Sequence, residues 1–342
     1  MSTDAHGETM KTIVRRTLTA SVAAGLLATS VAVAAPAAAR THTATVACTI
    51  RNLPYPVDAY RATADAIDPT GQFIAGSGLR VTDTGNQPLL LIWARGRLTT
   101  VESPMVDTVA DVNADGVVIG NGWANSRGLP WRYRGGKVEP LPLPPAGGAY
   151  VKAINKAGDI VGFGQDPQTG DSVALLWPAA RPGTVEVLDA PANAEADGIN
   201  DDGAIVGTSG PFGEWSTWLR RPDGTIKPLT VPGAGSTVAL AAAGEWAVGH
   251  ADLGGANNAW IRWNLRSGSY TQLSAELLWL ADVNARGVAV GGDRATVGDT
   301  SRVLPGGGER TSVGAQAIAD NGIIVGFRNS YGKVTPVRWA GC

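Results

Sequence analysis

A ten-residue pattern that returns along the chain constrains the fold more than any other feature. Its clearest copy, residues 153–162, reads AINKAGDIVG: an apolar run reaches an Asn, a Gly follows three residues later, and an Ile/Val-rich run ends at a second Gly. Seven copies align, two of them with one extra residue between the glycines. The second glycines are Gly76, Gly120, Gly162, Gly207, Gly249, Gly291 and Gly326.

The spacing and content of the copies predict the blades of a propeller. Successive copies lie 44, 42, 45, 42, 42 and 35 residues apart, mostly the length of one four-stranded blade. The first Gly supplies the positive φ of a tight hairpin between the first two strands. A third strand follows a variable loop, and a fourth, such as residues 136–142, contains Pro140 and suits the outer edge. The sequence predicts an all-β, seven-bladed β-propeller of four-stranded antiparallel blades.

The third strand ends in a Trp in six of the seven units, and these side chains are predicted to pack between neighbouring sheets. The sixth unit has Leu304 nearby instead and is also the shortest, so we expect it to be the thinnest blade. The six residues are Trp93, Trp131, Trp177, Trp218, Trp263 and Trp339.

The two ends of the repeat array predict a closed ring. The seventh unit stops after its third strand, residues 337–342, and the missing fourth strand stands at residues 46–54. Closure by this N-terminal outer strand, a 3+1 arrangement, completes every sheet, whereas a solenoid would leave both ends open. It also makes Cys48 and Cys342 neighbours, and in an exported chain we expect them to form a disulfide.

The first 39 residues predict a secretory signal peptide, leaving 40–342 as a single propeller domain. Lys11, Arg15 and Arg16 precede an uncharged apolar stretch, which ends in an A-x-A cleavage pattern at residues 37–39. Whether translation starts at Met1 or Met10, and whether export is general or twin-arginine, stays open. We expect an extracellular protein, monomeric and free of the membrane after cleavage. The net charge of −2 gives no reason to expect nucleic acid.

The I-N-x-x-G-x-I-V-G core, followed by an apolar strand that ends in Trp, resembles the HAF repeat of bacterial extracellular proteins. The resemblance covers nearly all of residues 46–342. The usual His-Ala-Phe entry to the third strand is replaced here by sequences such as 173–177, VALLW. The resemblance implies an exported repeat domain and carries over no catalytic residue.

The variable loops after the second strands hold the candidate ligand-binding residues. Aromatic rings beside carboxylates and amides suit a sugar, because the CH face stacks while the hydroxyls find polar partners. The alternative is a solvated rim whose aromatics cap the blade ends. Residues 111–116 match half of a calcium loop, but Gly122 stands where a bidentate Glu is required, so we predict a hairpin, no metal and no cofactor. The candidates are Trp123, Asp166, Glu214, Trp215, His250 and Tyr331.

Three functions of different classes follow from this sequence. The first is a non-enzymatic binding or interaction module at the cell exterior, whose partner is a carbohydrate, a cell-wall polymer or a secreted protein. The second is a secreted polysaccharide lyase or glycoside hydrolase that uses loop carboxylates, since acid–base chemistry needs no His. The third is a structural exoprotein without a small-molecule site. The sequence favours them in that order.

Overall fold

The computed structural model describes residues 47–342, except residues 126, 146, 167, 256 and 257. Its strands form seven antiparallel sheets in a ring, which confirms the predicted all-β propeller. We number these sheets as blades 1 to 7 in chain order. The predicted signal peptide, 1–39, lies outside the described residues. In the part of the chain that is described, no helix is long and apolar enough to span a membrane.

The first three blades are formed by residues 59–187. Blade 1 contains β2 (Ala59–Ala62), β3 (Ala66–Ile67), β4 (Phe73–Thr82), β5 (Gly85–Ala94) and β6 (Arg97–Glu102). Blade 2 contains β7 (Thr108–Val112), β8 (Val118–Ala124), β9 (Arg127–Arg134) and β10 (Lys137–Pro140). Blade 3 contains β11 (Ala149–Ile154), β12 (Ile160–Gln165), β13 (Ser172–Trp177) and β14 (Glu186–Val187).

The remaining blades repeat the same order from the inner strand outward. Blade 4 contains β15 (Ala194–Ile199), β16 (Ile205–Ser209), β17 (Ser216–Arg220) and β18 (Ile226–Pro228). Blade 5 contains β19 (Ser236–Ala243), β20 (Trp246–Asp252), β21 (Asn258–Asn264) and β22 (Tyr270–Gln272). Blade 6 contains β23 (Asp282–Val283), β24 (Ala289–Gly291), β25 (Arg294–Val297) and β26 (Thr300–Val303). Blade 7 combines β27 (Thr311–Ile318), β28 (Ile324–Ser330) and β29 (Lys333–Ala340) with β1 (Thr49–Asn52).

The ring closes through the N-terminal strand, as the sequence predicts. β1 lies antiparallel to β29, with Thr49 opposite Ala340, and serves as the outer strand of blade 7. Cys48 and Cys342 form the predicted disulfide, with their Cα atoms 4.5 Å apart across 294 positions of sequence. Blade 7 also bonds to blade 1, because the Ala64 N–H donates to the Gly326 carbonyl at 3.3 Å.

The six tryptophans of the repeat are buried between the sheets. Three of them donate their indole N–H to the carbonyl of a proline that comes just after a fourth strand. These bonds join Trp93 to Pro54 at 2.6 Å, Trp177 to Pro142 at 2.8 Å and Trp339 to Pro305 at 2.9 Å. Blade 6, which has no such Trp, is the thinnest as predicted, since its two inner strands have only two and three residues.

The hairpin Asn of the repeat caps its own turn and bonds to the next blade. In blade 2, Asn113 Oδ1 accepts the N–H groups of Asp115 and Val117, each at 3.1 Å. Its Nδ2 donates to the Asn155 carbonyl in blade 3 at 3.2 Å. Asn200 and Asn284 make the same bond to blades 5 and 7. The motif therefore joins blades as well as closing hairpins.

The second Gly of the repeat faces a β-bulge in the inner strand. In blade 3, Val151 pairs with Gly162 and Ala153 with Val161, which leaves Lys152 outside the ladder. A Cβ atom on Gly162 would lie 1.9 Å from the Tyr150 carbonyl oxygen, so only Gly fits there. Bulges at this place leave five residues outside the ladder: Ala110, Lys152, Asp197, Leu240 and Gln316.

Candidate functional site

A cleft of about 400 Å³ opens where blades 3, 4 and 5 meet. It lies on the face of the ring formed by the second-to-third strand loops and the blade-to-blade connections, which we call the loop face. Its walls combine charged, amide, hydroxyl and aromatic side chains. The lining residues are Lys152, Ser172, Asn193, Glu195, Asp197, Thr208, Gly210, Phe212, Trp215, Val238, Ala239 and Leu240.

The β-bulges place three residues of the cleft. Lys152, Asp197 and Leu240 are the bulged residues of blades 3, 4 and 5, and all three line the cavity. A bulge removes a residue from the ladder and redirects its side chain. Lys152 and Asp197 are 45 positions apart in sequence. They meet because they occupy equivalent positions of neighbouring blades.

Asp197 is the buried acidic residue of the cleft. It is 8% exposed, and Thr208 Oγ1 donates to its Oδ2 at 2.8 Å while accepting the Ala239 N–H at 3.1 Å. Lys152 Nζ lies 3.8 Å from Asp197 Oδ1. Burial raises the pKa of Asp197 to about 7, against the opposing effects of Lys152 and Thr208, and the negative charge of Glu195 raises it further. This carboxyl group can therefore exchange a proton near neutral pH.

The polar wall of the cleft is held by bonds between the loops of blades 3 and 4. Asn193 Oδ1 accepts the Ser172 N–H at 2.8 Å, and its Nδ2 donates to the Gly210 carbonyl at 2.9 Å. The Ser172 hydroxyl donates to Glu195 Oε1 at 3.3 Å. These bonds fix Asn193 and Glu195 before any ligand arrives, which lowers the entropy lost on binding.

The aromatic wall comes from the loop between β16 and β17. Phe212 is 93% exposed, and its ring meets that of Trp215 edge to face, with centroids 5.3 Å apart. The Trp215 carbonyl accepts the Thr237 N–H of blade 5 at 2.8 Å, which anchors the end of the loop. A large apolar surface therefore stands beside the polar wall.

Of the six binding residues predicted from sequence, Trp215 lines the cleft. Glu214 precedes it in the same loop, with an exposed side chain outside the lining set. Asp166 stabilises its own loop, because its Oδ1 accepts the N–H groups of Gln168 and Thr169 at 2.7 and 3.1 Å.

The other three predicted residues lie elsewhere. His250 belongs to strand β20 rather than a loop, and its ring centroid is 6.2 Å from that of Trp260. Trp123 lies at the end of β8 in blade 2, with its ring centroid 6.2 Å from that of Tyr150. Tyr331 is in blade 7, 80% exposed. The six residues thus do not form one site.

Sequence reasoning missed Lys152, Asp197 and Thr208. Lys152 and Asp197 each stand three residues before a hairpin Asn, at the same position of the repeat. Thr208 directly follows the second Gly of its copy. A charged residue at a fixed position of the repeat is the signal that could have found the first two.

Two further carboxylates, Asp111 and Asp282, are half-buried and join inner strands near the central channel. Asp111 Oδ2 accepts the Ile154 N–H of blade 3 and Asp282 Oδ2 that of Ile318 in blade 7, each at 2.9 Å. Burial raises the pKa of Asp111 to about 7 and that of Asp282 to about 6. Both oxygens of Asp111 bond to backbone, the second to its neighbour Val112, so this carboxylate serves as a link between blades.

Comparison with known proteins identifies the fold and no family. No protein-family model and no curated protein matches the sequence, so the HAF-repeat assignment stays a prediction. The β-propeller domain of the Trilobed protease from Pyrococcus furiosus superposes with a TM-score of 0.61 at 12% identity, over 83% of this chain and 96% of that one. Virginiamycin B lyase from Staphylococcus aureus gives 0.53 at 14% identity, over 86% and 99%. The acylaminoacyl peptidase of Pyrococcus horikoshii gives 0.57 at 11% identity, over 82% and 51%.

Proposed function

We propose that this propeller is a carbohydrate-binding module of an exported protein, and that the cleft between blades 3, 4 and 5 is its binding site. The observation that carries the proposal is the cleft itself, which Trp215 lines together with fixed amide and carboxyl groups. A pyranose ring offers a CH face to an aromatic side chain and hydroxyl groups to polar ones. The cleft offers both kinds of surface within one cavity of about 400 Å³.

The polar groups match the needs of hydroxyls in both directions. Glu195 and ionised Asp197 accept hydrogen bonds, and Lys152 donates them. When Asp197 is ionised, its charge and that of Lys152, 3.8 Å away, offset each other, and the charge of Glu195 remains. A neutral sugar therefore avoids the repulsion that an anionic sugar would meet in the cleft.

A glycan array probed with the mature protein tests the proposal. We expect retention on neutral surface glycans, with loss of retention in Trp215→Ala. Glu214→Ala, in the same loop but outside the lining set, is the matched control and should bind normally. Absence of binding to every glycan and cell-wall polymer would refute the proposal.

The environment of Asp197 favours a second candidate, a glycan-cleaving enzyme. A carboxyl group with a pKa near 7 beside a lysine, inside a cleft, is the environment of many general acids. Incubation with each bound polymer, followed by assays for reducing ends and unsaturated products, separates the two functions. Under the enzyme hypothesis Asp197→Asn removes product while the polymer still binds. As a binding module, the wild-type protein forms no product.

A further inference from the structure

A row of contacts leads from the cleft across the loop face to blade 2. Lys152 Nζ, besides facing Asp197, lies 5.3 Å from the centroid of the Phe163 ring. Phe163 stacks on Tyr150 with centroids 5.2 Å apart, and Tyr150 lies 6.2 Å from Trp123. The row ends at Trp123, which is 58% exposed. It therefore runs from the cleft that Trp215 lines to the aromatic surface at Trp123.

The two sheets hold this row in place. Tyr150 and Phe163 are opposite each other in the β11–β12 ladder. Trp123 is opposite Gly128 in the β8–β9 ladder, and a Cβ atom on Gly128 would lie 2.6 Å from Tyr150 Cζ. The missing side chain of Gly128 thus leaves the space that the Tyr150 ring occupies. Because Tyr150 and Phe163 pack on each other, Trp123 supplies the largest free aromatic face at this end.

We infer that the ligand is a linear, neutral oligosaccharide that spans from the cleft to Trp123, where the indole face provides a further sugar subsite. The inference rests on the proposed function and adds the ligand's length and direction. From Phe163 to Trp123 the row consists of three aromatic rings, which suit an uncharged ligand. The steps along the row, 5.2 Å from Phe163 to Tyr150 and 6.2 Å from Tyr150 to Trp123, are each comparable with the length of one sugar residue, so an oligosaccharide of a few residues can reach from the cleft to Trp123.

Calorimetry with cello- and chito-oligosaccharides, from the monosaccharide to the hexasaccharide, tests the inference on the mature protein. Affinity should rise with length and then level off. Trp123→Ala should weaken the longest ligand about two- to tenfold, the loss of one stacking contact, and leave the monosaccharide unchanged. Trp123→Phe should restore most of that loss. Tyr331→Ala removes an exposed aromatic of blade 7 and should change nothing.

The outcomes separate this inference from the proposed function. Monosaccharide binding that requires Trp215 but gains nothing with length, or is indifferent to Trp123→Ala, overturns the inference and leaves the proposed function standing. Absence of binding at every length, with the protein folded normally by circular dichroism, overturns the inference, and absence of binding on the glycan array as well overturns both. Competition by an unstructured peptide for the Trp123 surface would also overturn the inference.

Discussion

Replacing Cys48 and Cys342 together by Ser should open the ring at one known place. The disulfide closes a loop of 294 positions, for which chain entropy gives a ceiling of about 5–6 kcal/mol of unfolding free energy. Denatured-state structure reduces such figures, so we expect a loss of about 2–5 kcal/mol. Denaturant unfolding of both proteins measures this loss.

The structure also predicts where the loss appears first. β1 has four residues and pairs with β29 alone, and three of the four are exposed. Beyond that ladder, the Leu53 N–H donates to the Pro336 carbonyl at 2.9 Å. Without the disulfide, β1 should therefore fray before the ring unfolds, and its amides together with that of Leu53 should exchange faster with deuterium. The amides of β15 and β16, in blade 4, serve as the internal reference.

Two controls make this test decisive. Reduction of the wild-type protein should reproduce the loss of stability, and the double Ser variant should not respond to the reductant. The reasoning is wrong if the double variant unfolds at the wild-type denaturant concentration. It is equally wrong if exchange accelerates in all blades alike, because the disulfide would then not act at the closing strand.

Three further perturbations test the links between and within blades. Because burial raises the pKa values of Asp111 and Asp197 to about 7 and that of Asp282 to about 6, each of these groups binds more protons in the folded than in the unfolded state above pH 4. The unfolding free energy should therefore fall as the pH rises from about 4 to about 7, and a denaturant midpoint that stays constant over this range contradicts the assignment. Asn113→Ala removes two turn bonds and one bond to blade 3, and should lower the unfolding free energy by about 1–3 kcal/mol; an unchanged melting curve counts against the inter-blade role. Gly162→Ala forces a Cβ to within 1.9 Å of a carbonyl oxygen and should destabilise by about 3 kcal/mol or more, whereas Gly235→Ala, with open space around it, should be neutral in the same assay.

The fold was predictable because each blade has a hairpin signal in its own sequence, and this signal recurs along the chain. A Gly at positive φ after an Asn identifies a hairpin without reference to the rest of the chain, as at Gly116. The closing strand could be found because the seventh unit lacks a strand that residues 46–54 supply, and the two cysteines fit that register. Because the hairpin pattern recurs seven times, local signals that are weak one by one together predict the number of blades.

The candidate site was less predictable, because it depends on contacts between blades. Trp215 could be named as an exposed aromatic in a variable loop. Lys152 and Asp197 could be noticed as charged residues at one position of the repeat, but their contact could not be predicted, since it requires two bulges and the geometry of neighbouring blades. Asp111 is a different case: the sequence predicts a hairpin there despite a spacing like half of a calcium loop, but it does not predict that both carboxylate oxygens accept hydrogen bonds from backbone N–H groups.

At the bulge opposite the second Gly, the side chain can change without a change in the backbone of the blade. Because the bulged residue makes no ladder pair, its side chain can change while the hydrogen bonds of the blade stay the same. Five blades carry one such replaceable position, and their present occupants range from apolar to amide to charged: Ala110, Lys152, Asp197, Leu240 and Gln316. A protein engineer could use the same positions, installing new side chains around the ring while keeping each glycine that makes the bulge possible.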